Sequence, residues 1–206
     1  SSASLYLMKT IFVMVITLLS IFAVNIFKTG YPFEPVQFTL LEFFIIGMPS
    51  TILALQPNKE KIKGNFIANI FLNCVVQAFC LIITVVTVYL LAAKQVEGLD
   101  LSNYVEVNSI CVIAITYVGV IILFNLCRPF NILRAAVCGV SLFFITFALF
   151  TPEIANLLSV PFLLKDMNIT NKLFTLLIIF SIIPIEAALL AAVKQIKTAK
   201  NKENNG

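Results

Sequence analysis

Long apolar runs separated by short polar clusters make up the chain from one end to the other. A helix that crosses the hydrocarbon of a bilayer needs roughly 20 apolar residues. Runs of that order occupy about 5–27, 36–55, 67–92, 107–126, 132–150 and 173–193. Their wealth of Ile, Val, Phe and Leu would suggest β structure in water. In lipid every backbone group must be satisfied within its own segment, so runs of this length predict helices. The expected fold is therefore an all-α membrane protein. It is a six-transmembrane-helix bundle over residues 1–197, with a disordered cytoplasmic tail over 198–206.

The polar clusters fit that plan. Lys28-Thr29-Gly30-Tyr31-Pro32 and the residues to Pro35 form a short turn rich in Pro and Gly. Gln56 to Gly64 is a basic loop, Lys94 to Glu106 a polar connection, and Cys127 to Asn131 a tight turn. A longer loop, 151–171, holds Pro152 and Pro161 and is expected to lie partly in the interface. Lys and Arg orient such helices, collecting on the cytoplasmic side. Lys9, Lys59, Lys61, Lys63, Arg128, Arg134, Lys194, Lys197, Lys200 and Lys202 fall on one side, and only Lys28, Lys94, Lys165 and Lys172 on the other. Both termini are thus expected in the cytoplasm. The chain opens Ser1-Ser2-Ala3-Ser4 and turns apolar at once, which suggests a piece of something longer.

Composition agrees with the pattern and removes several functions. The chain is 60% hydrophobic and 12% charged, against about 45–50% and 25% for soluble domains. The net charge of +4 comes from helix-flanking lysines and carries no nucleic-acid signal. With no His in the chain, histidine metal sites and histidine acid–base chemistry are excluded within it. Cys74, Cys80, Cys111, Cys127 and Cys138 lie in or beside apolar runs without a C-x-x-C spacing. They are expected to be small buried apolar side chains.

The second run departs from the rest. Glu42 lies near its start, and Gly47-Met48-Pro49-Ser50 interrupts its middle. A charge at bilayer depth costs roughly 2.5–3.5 kcal/mol on insertion scales and persists mainly where it faces a bundle interior or a pathway. Pro49 removes a backbone donor, which frees carbonyls before it. Free carbonyls beside a carboxylate can form a cation site in a discontinuous helix. The ion-path candidates are therefore Glu42, Gly47, Pro49 and Ser50, with Glu42 as the possible metal ligand. The plainer alternative is a kinked, packed helix with a structural Glu42. At α-helical spacing Glu42 shares a face with Ile45, Ile46 and Pro49.

Other polar residues are accessory candidates. Asn69, Asn73 and Gln77 recur every fourth residue as one stripe, suited to hydrogen bonds between helices. Thr10, Thr17 and Ser20 are expected to bond back to their own helix or to pack against a neighbour. Lys9 is the one cation of the first run. At 1.5 Å per residue it lies roughly 6 Å from the inner face, and Glu42 roughly 10 Å from the outer face. In a 30 Å core about 14 Å then separates them, so Lys9 is expected to reach toward the cytoplasm; a counter-ion for Glu42 is the sharper alternative. Glu186, two residues after Pro184 in the last run, is either a second functional carboxylate or a structural acceptor. Asn108, Ser109, Thr116, Tyr117 and Asn125 are expected to be packing contacts. Phe27-Lys28-Thr29-Gly30 looks like the end of a phosphorylation motif but lacks its Asp and sits in a short turn, a chance match.

Pro35-Val36-Gln37, Glu42, Gly47-Met48-Pro49-Ser50-Thr51 and the stretch from Leu53 to Phe66 resemble the sixth transmembrane segment of P-type cation-transporting ATPases and the loop that follows it. The match is best with bacterial calcium-type members. Ala3 to Phe12 resembles the start of the fifth segment. By the resemblance the six spans correspond to segments five to ten, in a bacterial cell membrane. In calcium pumps of that family the sixth segment carries Thr-Asp-Gly-x-Pro, with an Asn four residues before the Asp. Here Ile45 stands at the Thr position, Ile46 at the Asp position and Glu42 at the Asn position. The first run has no acid where the family's fifth segment carries one.

The resemblance implies half of an ion path working by alternating access. The transported cation is Ca²⁺, another metal cation or H⁺. The partners are membrane lipid and a missing N-terminal part of the pump. ATP and Mg²⁺ are cofactors of the complete pump only, because the phosphorylation and nucleotide-binding domains lie outside these residues. The alternatives are a freestanding small channel or secondary transporter, and a structural subunit.

Overall fold

The structure, a computed structural model, describes residues 2–27, 33–55, 66–93, 104–128, 130–161 and 167–203. The basic loop with Lys59, Lys61 and Lys63, and also Lys28, Lys94, Lys165 and the side chain of Asn69, lie outside the described residues. The described backbone is helical, with no strand. Helix α1 runs Ser2–Phe27. The second span opens with a 3₁₀ turn at Pro35–Gln37, continues as a π-helix over Leu40–Gly47 and ends as α2, Met48–Ala54. Then come α3 (Phe66–Ala93), α4 (Tyr104–Leu126), α5 (Ile132–Phe150), the short α6 (Pro152–Leu157) and α7 (Ile169–Glu203). Pro35–Ala54, Ile70–Ala92, Val105–Leu126, Ile132–Phe150 and Ile169–Gln195 are long and apolar enough to cross a membrane, and α1 carries a shorter apolar stretch, Leu5–Ile21.

Two expectations change. The loop at 151–171 contains α6, begun by Pro152 at a first-turn position, where its missing N–H costs nothing. Ser159, just beyond α6, takes a left-handed backbone with φ 55°, which turns the chain back. The tail also differs: α7 stays helical through Thr198 to Glu203. Lys, Ala, Gln and Glu are strong helix formers, and lysines near a helix C-terminus are favoured by its dipole. Residues 204–206 lie outside the described residues.

Helix α4 is the hub. It packs on α3, α5, α7 and the π-helix, and 83% of its most apolar stretch is buried, against 22% for α7. A helix that is apolar all round belongs inside a bundle. Its Gly119 lets the π-helix approach: a Cβ there would stand 2.6 Å from Ile45 Cδ1. The five cysteines are buried, as expected, and form no disulfide among the described residues. The Thr10, Thr17 and Ser20 hydroxyls donate to the carbonyls four residues earlier at 2.7–2.9 Å, also as expected.

Gly119→Ala meets only the flexible tip of Ile45 and should shift the melting temperature little. Gly119→Leu must push the π-helix away, at about 1–3 kcal/mol. That lowers the melting temperature by several degrees at roughly 2–4 °C per kcal/mol, measurable by thermal unfolding in lipid nanodiscs.

Candidate ion site

The second span does not unwind at Gly47-Met48-Pro49; it changes its winding. Over Leu40–Gly47 the helix is π-wound, and the Met48 N–H donates to the Phe43 carbonyl five residues back. In that register the next donor would be the nitrogen of Pro49, reaching Phe44. Proline has none, so the Phe44 carbonyl is left for another partner. Ser141 of α5 supplies it, its hydroxyl donating to Phe44 O at 2.7 Å. The freed carbonyl expected before Pro49 therefore exists, and a neighbouring helix satisfies it. A second carbonyl before Pro49 is satisfied within the span: Gly47 O accepts from Thr51 Oγ1 at 2.8 Å and from Ser50 Oγ at 3.0 Å.

Gly47 is required by this winding. A Cβ on it would come within 3.0 Å of the Glu42 carbonyl, which lies one π turn earlier. Pro49 and Ser50 are buried. Ser50 Oγ lies 3.2 Å from the Tyr6 hydroxyl, which ties the start of α1 to the start of α2.

The wide turn also redistributes the face expected for Glu42. Ile45, Ile46 and Pro49 are buried, whereas Glu42 is half exposed. An α-helical spacing groups these four residues; in the π-wound span Glu42 does not share the burial of the other three.

Glu42 is not isolated. Its Oε1 lies 2.5 Å from Lys9 Nζ of α1, with side-chain exposures of 49% and 30%. This corrects the expectation that Lys9 reaches to the cytoplasm. The 14 Å separation assumed that the second span starts level with the far end of α1. It starts instead beside the middle of α1. Phe12 packs on Phe33 and Phe38 with ring centroids 6.4 and 6.3 Å apart, and Phe33 on Phe38 at 5.1 Å. This aromatic trio, worth about 0.5–1.5 kcal/mol per pair beyond area, sets the second span lower along α1 and brings Glu42 to Lys9.

The accessory candidates separate. Asn73 is exposed and Gln77 buried on α3, so the expected stripe has no common environment. Glu186 is buried and accepts from Asn125 Nδ2 of α4 at 2.7 Å; α7 packs on α3 and α4. It does not join the Lys9–Glu42 pair, which α1 and the π-helix form. Asn125 thus has a specific partner, and so does Tyr117, 3.3 Å from Thr146.

Several contributors were missed in the sequence. Gln37 is one turn before Glu42 and buried. Its amide nitrogen donates to Asn108 Oδ1 at 2.5 Å and to Ser159 O at 2.7 Å, and its oxygen accepts from Glu34 N at 2.9 Å. Gln37, Glu34, Asn108, Asn156 and Ser159 line a cavity of about 420 Å³. A Gln inside an apolar run was the available signal. Ser141 gave a similar one, a hydroxyl within the apolar α5, but not its target 97 residues away.

With this geometry in view, known proteins can be compared. The probable cation-transporting ATPase exp7 of Streptococcus pneumoniae is 24% identical over 169 residues, 80% of this chain. The calcium-transporting ATPase CtpE of Mycobacterium tuberculosis is 28% identical over 141 residues, 65% of this chain. The chain is homologous to P-type cation-transporting ATPases. It spans only 21% and 17% of the length of those two relatives. CtpE of Mycolicibacterium smegmatis is 32% identical over a shorter stretch of 74 residues. No family model matches the chain, and no solved structure matches it significantly. The apolar helices and these homologues together mark a multi-pass membrane protein.

Ser141→Ala leaves the Phe44 carbonyl without its donor. An unsatisfied buried group costs about 1–3 kcal/mol, less where other partners are found in a membrane. The expected result is a melting temperature lower by at least about 2 °C and faster amide exchange around Met48 to Thr51, read by mass spectrometry in nanodiscs. Ser141→Thr keeps the hydroxyl and should restore both.

Proposed function

We propose that this chain is the C-terminal half of the membrane domain of a P-type cation pump. α1 corresponds to segment five, the second span to segment six, and α3, α4, α5 and α7 to segments seven to ten. Both termini lie in the cytoplasm of a bacterial cell. The observation that carries the reading is the joining of Glu42 to Lys9 at a π-wound, proline-interrupted span. The transport-ATPase relatives supply the reaction class.

The mechanism follows from what these residues can do. Glu42 offers one carboxylate, and its only charge partner in the pair is an ammonium on the adjacent helix. A transported cation must compete with Lys9 for it. The half-exposed side of Glu42, with Phe43 and Tyr6 exposed near it, is where the missing half of the membrane domain would pack and add oxygens. A hard cation such as Ca²⁺ needs about six to eight of them; Glu42 alone supplies too few. The cavity by Gln37 and Glu34 lies one turn further along the same span, as the outer approach to the pair. α1 carries Lys9, so any force applied to α1 by the phosphorylation domain of a complete pump moves the counter-ion relative to Glu42. Alternating access then has a local handle: the pair closed when no cation is held, and opened when one is.

The test uses the complete pump in vesicles, with ATP, Mg²⁺ and a panel of Ca²⁺, Mn²⁺, K⁺, Na⁺ and H⁺. One cation should stimulate ATP hydrolysis, and Glu42→Gln should reduce that stimulation by at least about tenfold, equal to about 1.4 kcal/mol. Stimulation unchanged in a folded Glu42→Gln protein contradicts the assignment of Glu42. Lys9→Met removes the competitor. It should lower the half-saturating cation concentration about two- to fivefold, matching an exposed pair worth up to about 1 kcal/mol.

A further inference from the structure

A second carboxylate lies in a different part of the bundle. Glu186 is fully buried on α7, between α3 and α4. Its two oxygens are unlike. Oε2 accepts from Asn125 Nδ2 at 2.7 Å, while Oε1 is buried and has no hydrogen-bond partner among the described residues. On α3, Gln77 Oε1 is likewise buried without a partner. Gln77 lies one turn from Cys80, a buried thiol on the same helix. Arg128, exposed just beyond the end of α4, is a cation within electrostatic reach of Glu186.

An ionised carboxylate in such a place has one oxygen facing neither water nor a donor, which costs several kcal/mol. One amide hydrogen bond offsets only part of this. A proton on Oε1 removes the charge and turns an orphaned acceptor into a donor. Asn125 is one residue from the end of α4, so the carboxyl lies toward that end of the helix.

We propose that Glu186 is a proton-binding site, its Oε1 carrying the proton and Asn125 holding Oε2 as the carbonyl-like oxygen. The ligand class is H⁺, and the site is separate from the Lys9–Glu42 pair. It does not depend on the pump reading: a buried proton site is present whether or not the chain transports a metal cation. Charge held or released here would be linked to the packing of α3, α4 and α7, because those helices build the pocket.

The test is infrared spectroscopy of the full-length protein, glutamate-isotope-labelled and in ester-free detergent, near neutral pH in water and heavy water. A protonated-carboxyl stretch should be present, shift in heavy water and vanish in Glu186→Gln. In Asn125→Ala the same stretch should move to higher frequency, because the carbonyl-like oxygen loses its donor; this also serves if Glu186→Gln fails to fold. A wild-type spectrum with no such stretch, or one unaltered in both variants, overturns the proposal and leaves Glu186 as an ionised structural acceptor.

Discussion

A backbone carbonyl inside a bilayer has no water to bond to, and Pro49 removes the donor that one carbonyl would otherwise have. The second span is arranged around that constraint. The helix before Pro49 widens to π winding, which places the orphan at Phe44 and lets Ser141 reach it from α5. Gly47 gives the wide turn the room it needs against the Glu42 carbonyl. Gly119 of α4 lets Ile45 come close enough to lock the span in place. Glu42, on the same π-wound stretch, stays half exposed. A structural device for satisfying one carbonyl thus presents a carboxylate at the edge of the bundle.

The charge is then met by a second constraint, the level at which the second span sits along α1. The rings of Phe12, Phe33 and Phe38 fix that level, and Lys9 falls opposite Glu42. Packing of uncharged aromatics therefore decides an electrostatic contact. At Gln37 the same span meets Asn108 of α4 and the carbonyl of Ser159 beyond α6, so polar bonds hold its first turn as well as its middle.

Much of this was legible in the sequence, and the boundary of legibility is physical. Run length predicted the helices, because lipid leaves no other way to satisfy the backbone. The hydroxyls of Thr10 and Thr17 and the burial of Cys111 followed from local rules. Glu42, Gly47 and Pro49 stood out because each is costly in an apolar run. The Lys9–Glu42 contact was legible only as the second of two alternatives, since counting residues assumed that adjacent spans share a starting height. The π winding was not legible, and nor was the donor that meets its free carbonyl, Ser141, far away in the chain. Helix α6 was hidden by a Pro that reads as a loop residue but opens a helix. The helical end of α7 was hidden by its charge, although its residues favour helix.

The central claim is that Lys9 and Glu42 act as one unit. A double-mutant cycle tests this directly, with Lys9→Met, Glu42→Gln and the double variant compared by equilibrium unfolding in the same lipid. The account predicts a coupling of at least about 0.5 kcal/mol, with the double variant more stable than the sum of the single effects implies. Effects that add within about 0.3 kcal/mol would contradict it: Lys9 and Glu42 would then be neighbours without being partners.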